Sequence, residues 1–139
     1  MEQCIFCGIV KKEKSAYIIY EDEIVTAFLD INPIALGHTL VIPNKHFARL
    51  DAINDEKVMQ GLMSALVKVS NMLVKAGLCE DFTVLNDNGV NAQQDIMHIH
   101  FHIIPRHPNE NIELKLPTNK EIATKEKLLF AYNLIKNSV

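Results

Sequence analysis

The chain has 139 residues, 48% of them hydrophobic and 22% charged, which is the composition of a globular domain with enough apolar surface for its own core. Fourteen basic residues against seventeen acidic ones leave a formal charge of −3. Without a basic excess there is no electrostatic footprint for a nucleic-acid backbone, so nucleic acid is excluded as a partner class. Apolar runs fall far short of the roughly 20 residues a membrane-spanning helix needs, and no basic segment followed by an apolar stretch opens the chain. A cytoplasmic protein without a membrane partner is therefore expected. No internal repeat, low-complexity tract or Pro/Gly/Ser linker interrupts the sequence, so residues 1–139 read as one domain.

Ile5 to Val10 is a short apolar segment that carries Cys4 and Cys7 at its start and predicts a helical turn or two. Tyr17-Ile18-Ile19-Tyr20 and Ile24 to Leu29 flank the polar Glu21-Asp22-Glu23, the pattern of a β-hairpin. A further strand runs from His38 to Ile42 after Gly37, closed by Pro43 and Asn44. Asp55 to Ala76 predicts the longest helix. Asn54 serves as its N-cap, Val58, Leu62, Leu66, Val69 and Leu73 form one apolar stripe, and Gly77 stands at the stop. Phe82 to Leu85 predicts a strand leading into a polar loop, Asn86 to Asp95. The last strand is expected over Ile96 to Ile104, stopped by Pro105. The tail from Glu121 to Lys136 reads as helix, with Thr118 and Glu121 spaced as a capping box. Hairpin-paired strands with helices on one side make an α+β domain, an antiparallel sheet with a long central helix and a C-terminal helix.

Three cysteines cannot all pair, and Cys4 and Cys7, two residues apart, suit a metal half-site or a redox pair in a reducing compartment. Cys79 reads as a small, partly buried apolar side chain. Six histidines are the compositional oddity, and His98, His100 and His102 fall within one alternating run. In a strand such residues share a face, with successive histidines roughly 6–7 Å apart, while Met97, Ile99, Phe101 and Ile103 face a core. Three histidines so spaced cannot all touch one phosphorus. One can attack it while the others orient or stabilise. A merely polar strand face is the blandest reading. A metallohydrolase with zinc on the His-x-His ligands is a second, with Asp87 or Asp95 as the added carboxylate. Nucleophilic catalysis at phosphorus by an imidazole is the third.

His98-Ile99-His100-Phe101-His102-Ile103-Ile104 resembles the His-φ-His-φ-His-φ-φ signature of the histidine-triad (HIT) superfamily of nucleotide hydrolases and transferases. Cys4-Ile5-Phe6-Cys7, Tyr20-Glu21-Asp22, Ala27 to Pro33, Gly37 to His46, Leu85 to Gly89 and Ile103 to Arg106 resemble its other blocks in the same order. The likeness is strongest to bacterial members of the Hint-like branch. It implies that His100 is the nucleophile, His102 a phosphate contact and His38 a hydrogen-bonding member of the same cluster. It also implies that Asp30 holds the ribose hydroxyls and that Phe6, Ile9, Phe28 and Ile31 sandwich the base. Asn86, Asp87, Gln93, Gln94 and Asp95 then form the loop beside phosphate and ribose.

That loop departs from the family pattern. Asp87 stands where Asn is usual, Gln93 where Gly is usual, and Asp95 where a hydroxyl residue is common. Cysteine-bearing members imply a structural zinc on Cys4, Cys7, His46 and His98, with no metal needed for the chemistry, and a homodimer. The implied activity is hydrolysis of nucleoside 5′-phosphoramidates, purine nucleosides foremost, through a nucleotidyl-histidine. The alternatives are hydrolysis of dinucleoside polyphosphates and a nucleotide-binding module with vestigial activity.

Overall fold

Val25 to Leu29 and Thr39 to Pro43 are apolar or neutral at nearly every position, and a strand without a polar face needs cover on both sides. The computed structural model, which describes residues 4–110, 112–113 and 121–138, supplies that cover. Strands β1 (Ile18–Glu21), β2 (Val25–Leu29), β3 (Thr39–Pro43), β4 (Asp81–Leu85) and β5 (Phe101–Arg106) form an antiparallel sheet in the order β1-β2-β3-β5-β4. Helix α2 (Glu56–Lys75) buries Val58, Leu62, Leu66, Val69 and Leu73, the predicted stripe, against Val25, Ala27, Val41, Ile99 and Ile103. Cys79 is buried in the same cluster. The alternate residues Phe28, Leu40 and Ile42 pack with Phe6 and Ile9 of helix α1 (Ile5–Val10). Cover therefore lies on both faces of the sheet, which corrects the expectation of helices on one side only.

Helix boundaries shift by a residue or more. The N-cap of α2 is Asp55, not Asn54, because the Asp55 side chain accepts from the Lys57 N–H at 2.9 Å. The helix stops where Gly77 takes φ +78. Helix α3 (Lys125–Asn137) starts later than expected, since Thr124 accepts from the Lys127 N–H and caps it. Thr118, the other half of the expected capping box, lies outside the described residues.

The last strand is the larger correction. It begins at Phe101 and includes Pro105, which pairs with Phe82. The pairing of β5 with β3 ends at Ile103–Thr39. Beyond that point only β4 is a neighbour, so Pro105 needs no N–H on the other side. Residues 96–100 are irregular instead. Their backbone is held by the Ile99 N–H bonded to the Phe47 carbonyl (2.8 Å), and Met97, expected in the core, is 43% exposed.

Between β4 and β5 the loop rests on one buried amide. Gln94, 5% exposed, accepts from the Gly89 N–H (2.7 Å) and donates to the carbonyls of Ala48 (2.7 Å) and Ile96 (3.0 Å). Gln93 beside it adopts the left-handed conformation, φ 69 and ψ 26, that the family's glycine would take. Gln94→Ala strands three backbone groups and should lower the unfolding free energy by about 1–3 kcal/mol in urea denaturation. Gln93→Gly, which removes a strained side chain at the cost of a more flexible unfolded chain, should change it by less than about 1 kcal/mol.

Candidate functional site

A cleft of about 490 Å³ opens between α1, the end of β2 and the irregular segment before β5. Phe6, Ile9, Phe28, Leu40 and Ile96 give it an apolar end. Ser15, Asp30, Asn32, Asp95, His100 and His102 supply polar groups, and Ile31 and Lys14 also line it. Phe6 meets Phe28 edge-on at 5.4 Å and His100 edge-on at 5.2 Å, so the apolar end runs directly onto the histidines.

Hydrogen bonds fix the tautomer of each histidine there. His100 Nδ1 lies 2.9 Å from the His98 carbonyl, which only accepts. The proton therefore sits on Nδ1, and the lone pair sits on Nε2. Beside it, the Ile34 N–H donates to His38 Nδ1 at 3.0 Å, which leaves the His38 proton on Nε2. That Nε2–H donates to His102 Nδ1 at 2.9 Å, so the His102 proton is on Nε2. Asp30 Oδ2, 3.6 Å from His38 Nε2, flanks this relay. Burial foremost, then His100 and His38, pushes His102 down to about 4, and burial likewise lowers His38 despite the nearby Asp30. Both stay neutral at neutral pH. One imidazole offers a lone pair, and another, with ring centroids 5.0 Å apart, offers an N–H.

His98 faces elsewhere. Its Nε2–H donates to the Pro43 carbonyl at 2.9 Å, leaving the Nδ1 lone pair free. That Nδ1 lies 3.4 Å from Cys4 Sγ, 3.6 Å from Cys7 Sγ and 3.2 Å from His46 Nδ1, and Cys7 Sγ is 3.3 Å from His46 Nδ1. All four donor atoms lie within 4.8 Å of one another. Tetrahedral bonds of about 2.3 Å to sulfur and about 2.0 Å to nitrogen demand donor separations of roughly 3.3–3.8 Å. The donor set fits zinc in both chemistry and spacing. Burial and the adjacent Cys4 raise the Cys7 thiol, and a dication is what reverses that. Asp30, His38 and His102 also cluster, but the hydrogen-bonded relay already uses both nitrogens of His38.

Of the loop residues, Asp95 alone lines the cleft. Asn86 donates to the His100 carbonyl (2.9 Å) and accepts from Asn88, Gln94 is the buried brace, and Gln93 and Asp87 stand outside the cleft lining. Asp87 is still near enough to His102 to favour its charged form. His98 and His100 precede β5, so of the three histidines only His102 lies on the strand. Sequence reasoning missed Lys14, Ser15 and Ala16 in the cleft wall. It also missed the carbonyls of Pro43 and His98, which no side-chain pattern reveals.

A family model described as the HIT domain matches residues 11–109. An uncharacterized HIT-like protein of Methanocaldococcus jannaschii is 41% identical over 125 residues, covering 90% of this chain and 95% of that protein. The adenosine 5′-monophosphoramidase of Schizosaccharomyces pombe is 43% identical over 111 residues, covering 80% of this chain and 79% of that one. A HIT family protein from Bacillus anthracis, known from its crystal structure, superposes with a TM-score of 0.88 at 35% identity, covering 99% of this chain and 98% of that one. With its histidine cluster, cleft and five-stranded sheet in hand, the chain belongs to the HIT domain family.

Proposed function

We propose that this protein is a nucleotide hydrolase that cleaves nucleoside 5′-phosphoramidates, purine nucleosides foremost, through a nucleotidyl intermediate on His100. The observation that carries the reading is the His100 Nδ1–H bond to the His98 carbonyl, which leaves Nε2 as a lone pair lining the cleft. Attack forms an Nε2–P bond and breaks the P–N bond to the amine, whose nitrogen takes the electron pair and a proton from water. The positive charge that the imidazole ring acquires is stabilised by the His98 carbonyl through Nδ1–H. The His102 Nε2–H donates to a phosphoryl oxygen. Water then adds to phosphorus and gives up a proton to the hydroxide left by the first step, Nε2 leaves with its pair, and the nucleoside monophosphate is released. Phe6, Ile9, Phe28 and Ile31 bind the base by burial and stacking, and Asp30 accepts from the ribose hydroxyls. The phosphoramidase of S. pombe, at 43% identity, supports this substrate class over dinucleoside polyphosphates.

Cys4, Cys7, His46 and His98 are proposed to hold zinc. With four protein donors the site would be closed, so these residues would tie α1 to the segment before β5 through the metal and leave no position on it for a reacting water. Thiolate ligands suit a reducing compartment such as the cytoplasm. No described helix is long and apolar enough to cross a membrane. A homodimer is proposed on the outer face of α2 and the edge strand β4. Met63, Val67 and Val74 with Phe82 and Val84 line an apolar depression of about 430 Å³ there.

Three outcomes check these statements. His100 is 4% exposed and packs on Phe6, contrary to the expectation that it faces away from packed residues, so His100→Asn is a gentler variant than alanine. It should lower turnover of adenosine 5′-phosphoramidate by a factor on the order of 10⁴ and abolish the nucleotidyl adduct seen by mass spectrometry of quenched wild type. Retained turnover, with His102→Asn inactive instead, would move the nucleophile. Elemental analysis should find about one zinc per chain, and Cys4→Ser or chelation should lower Tm without abolishing turnover. Activity lost on chelation and restored by zinc to folded protein would favour the metallohydrolase. Light scattering should report a dimer that Met63→Glu with Val67→Lys dissociates.

A further inference from the structure

Among the described residues, Asp95 is the one carboxylate placed against His100. Its Oδ1 lies 3.4 Å from His100 Nε2, and its side chain is 79% exposed at the mouth of the cleft. The same oxygen accepts from the Ile96 N–H at 2.9 Å, which holds the carboxylate in position. In the tautomer that attacks, Nε2 carries a lone pair. The Asp95 carboxylate is then a negative charge at the mouth of the cleft with no proton on Nε2 to answer it, and it favours a cation placed nearby.

The other charged groups near the cleft do not share this place. Asp30 is bound to the Asn32 N–H and faces His38, Asp87 acts on His102, and Lys14 lies beside the apolar end. In-line displacement puts the leaving group on the far side of phosphorus from Nε2. With phosphorus poised at attack distance, a charge carried a few bonds beyond the departing atom would sit roughly 7 Å from Asp95, whose exposed side chain keeps water beside it.

We propose that Asp95 is a specificity-determining residue that selects substrates by the charge on the leaving group. It favours nucleoside 5′-phosphoramidates whose amine bears a second, cationic group over those with neutral or anionic amines, and over conjugates that release phosphate or sulfate. This rests on the phosphoramidate reading above and names its substrate class. Coulomb interaction across roughly 7 Å of well-hydrated space is worth about threefold per unit charge, so cationic and anionic leaving groups should differ by about tenfold.

The test uses three adenosine 5′-phosphoramidates with amines of similar size: ethylenediamine (cationic), propylamine (neutral) and β-alanine (anionic). For wild type, kcat/KM should fall in that order, with cationic over anionic about tenfold at low salt and less at high salt. Asp95→Asn should bring that ratio close to one, and Asp95→Glu should retain most of it, whatever either does to absolute rates. A wild-type ratio near one, or a ratio kept by Asp95→Asn, overturns the proposal. If wild type turns over no member of the series, the phosphoramidate reading fails by itself. The same compounds titrated calorimetrically then carry the charge test: a Kd ratio that collapses in Asp95→Asn upholds charge selection, and an unchanged ratio overturns it.

Discussion

A neutral imidazole has one N–H, and in a buried cluster the acceptor that takes it decides what the other nitrogen can do. The chain settles this with backbone groups, which substitution of side chains cannot easily disturb. The Pro43 carbonyl takes the His98 proton, the His98 carbonyl takes the His100 proton, and the Ile34 N–H forces the His38 proton outward onto His102. Three histidines in one short run thereby acquire three different free ends. His98 turns a lone pair toward the thiols, His100 turns one into the cleft, and His102 keeps an N–H. The irregular backbone at residues 96–100 is what permits it, since a regular strand would have bonded the His98 carbonyl to a neighbouring strand and left His100 Nδ1 without its acceptor.

Much of this architecture was legible in the sequence wherever a periodic pattern met a local stop. The α2 stripe from Val58 to Leu73 and the turn at Gly77 needed no distant partner, nor did the hairpin around Glu21-Asp22-Glu23. The alternation of the histidines with Ile99, Phe101 and Ile103 pointed to the right part of the chain, although only His102 of the three lies on β5. What could not be read depends on residues far away in the chain. Pro105 is tolerated inside β5 only because the pairing with β3 has already ended at Thr39. Gln94 looks like a ligand contact until its amide is seen to reach Ala48, 46 positions away. Helix α1 is too short for periodicity to name the side of the sheet it covers.

The altered loop shows how one chain can depart from a family pattern without losing its geometry. Gln93 adopts the left-handed backbone that glycine would take at lower cost, so the turn survives the substitution. The Gln94 brace and the Asn86 bond to the His100 carbonyl keep the loop in register with the histidines. With the backbone so fixed, a change at Asp95 alters charge beside His100 rather than shape.

Helix α1 links the two clusters of donors. Six residues are too few to be stable as a helix in water, so its position is set entirely by what it packs on and by what holds its ends. Cys4 caps it through the Cys7 N–H, and both thiols point at His46 and His98. Between those cysteines lies Phe6, which meets His98 edge-on at 5.8 Å on one side and His100 at 5.2 Å on the other. Whatever keeps the thiols against His46 and His98 therefore also keeps the apolar wall of the cleft against His100. The His100 Nδ1–H is held separately, by the His98 carbonyl, in a backbone segment that the Ile99 N–H ties to Phe47. The apolar end of the cleft and the tautomer of His100 thus rest on separate supports that meet at Phe6.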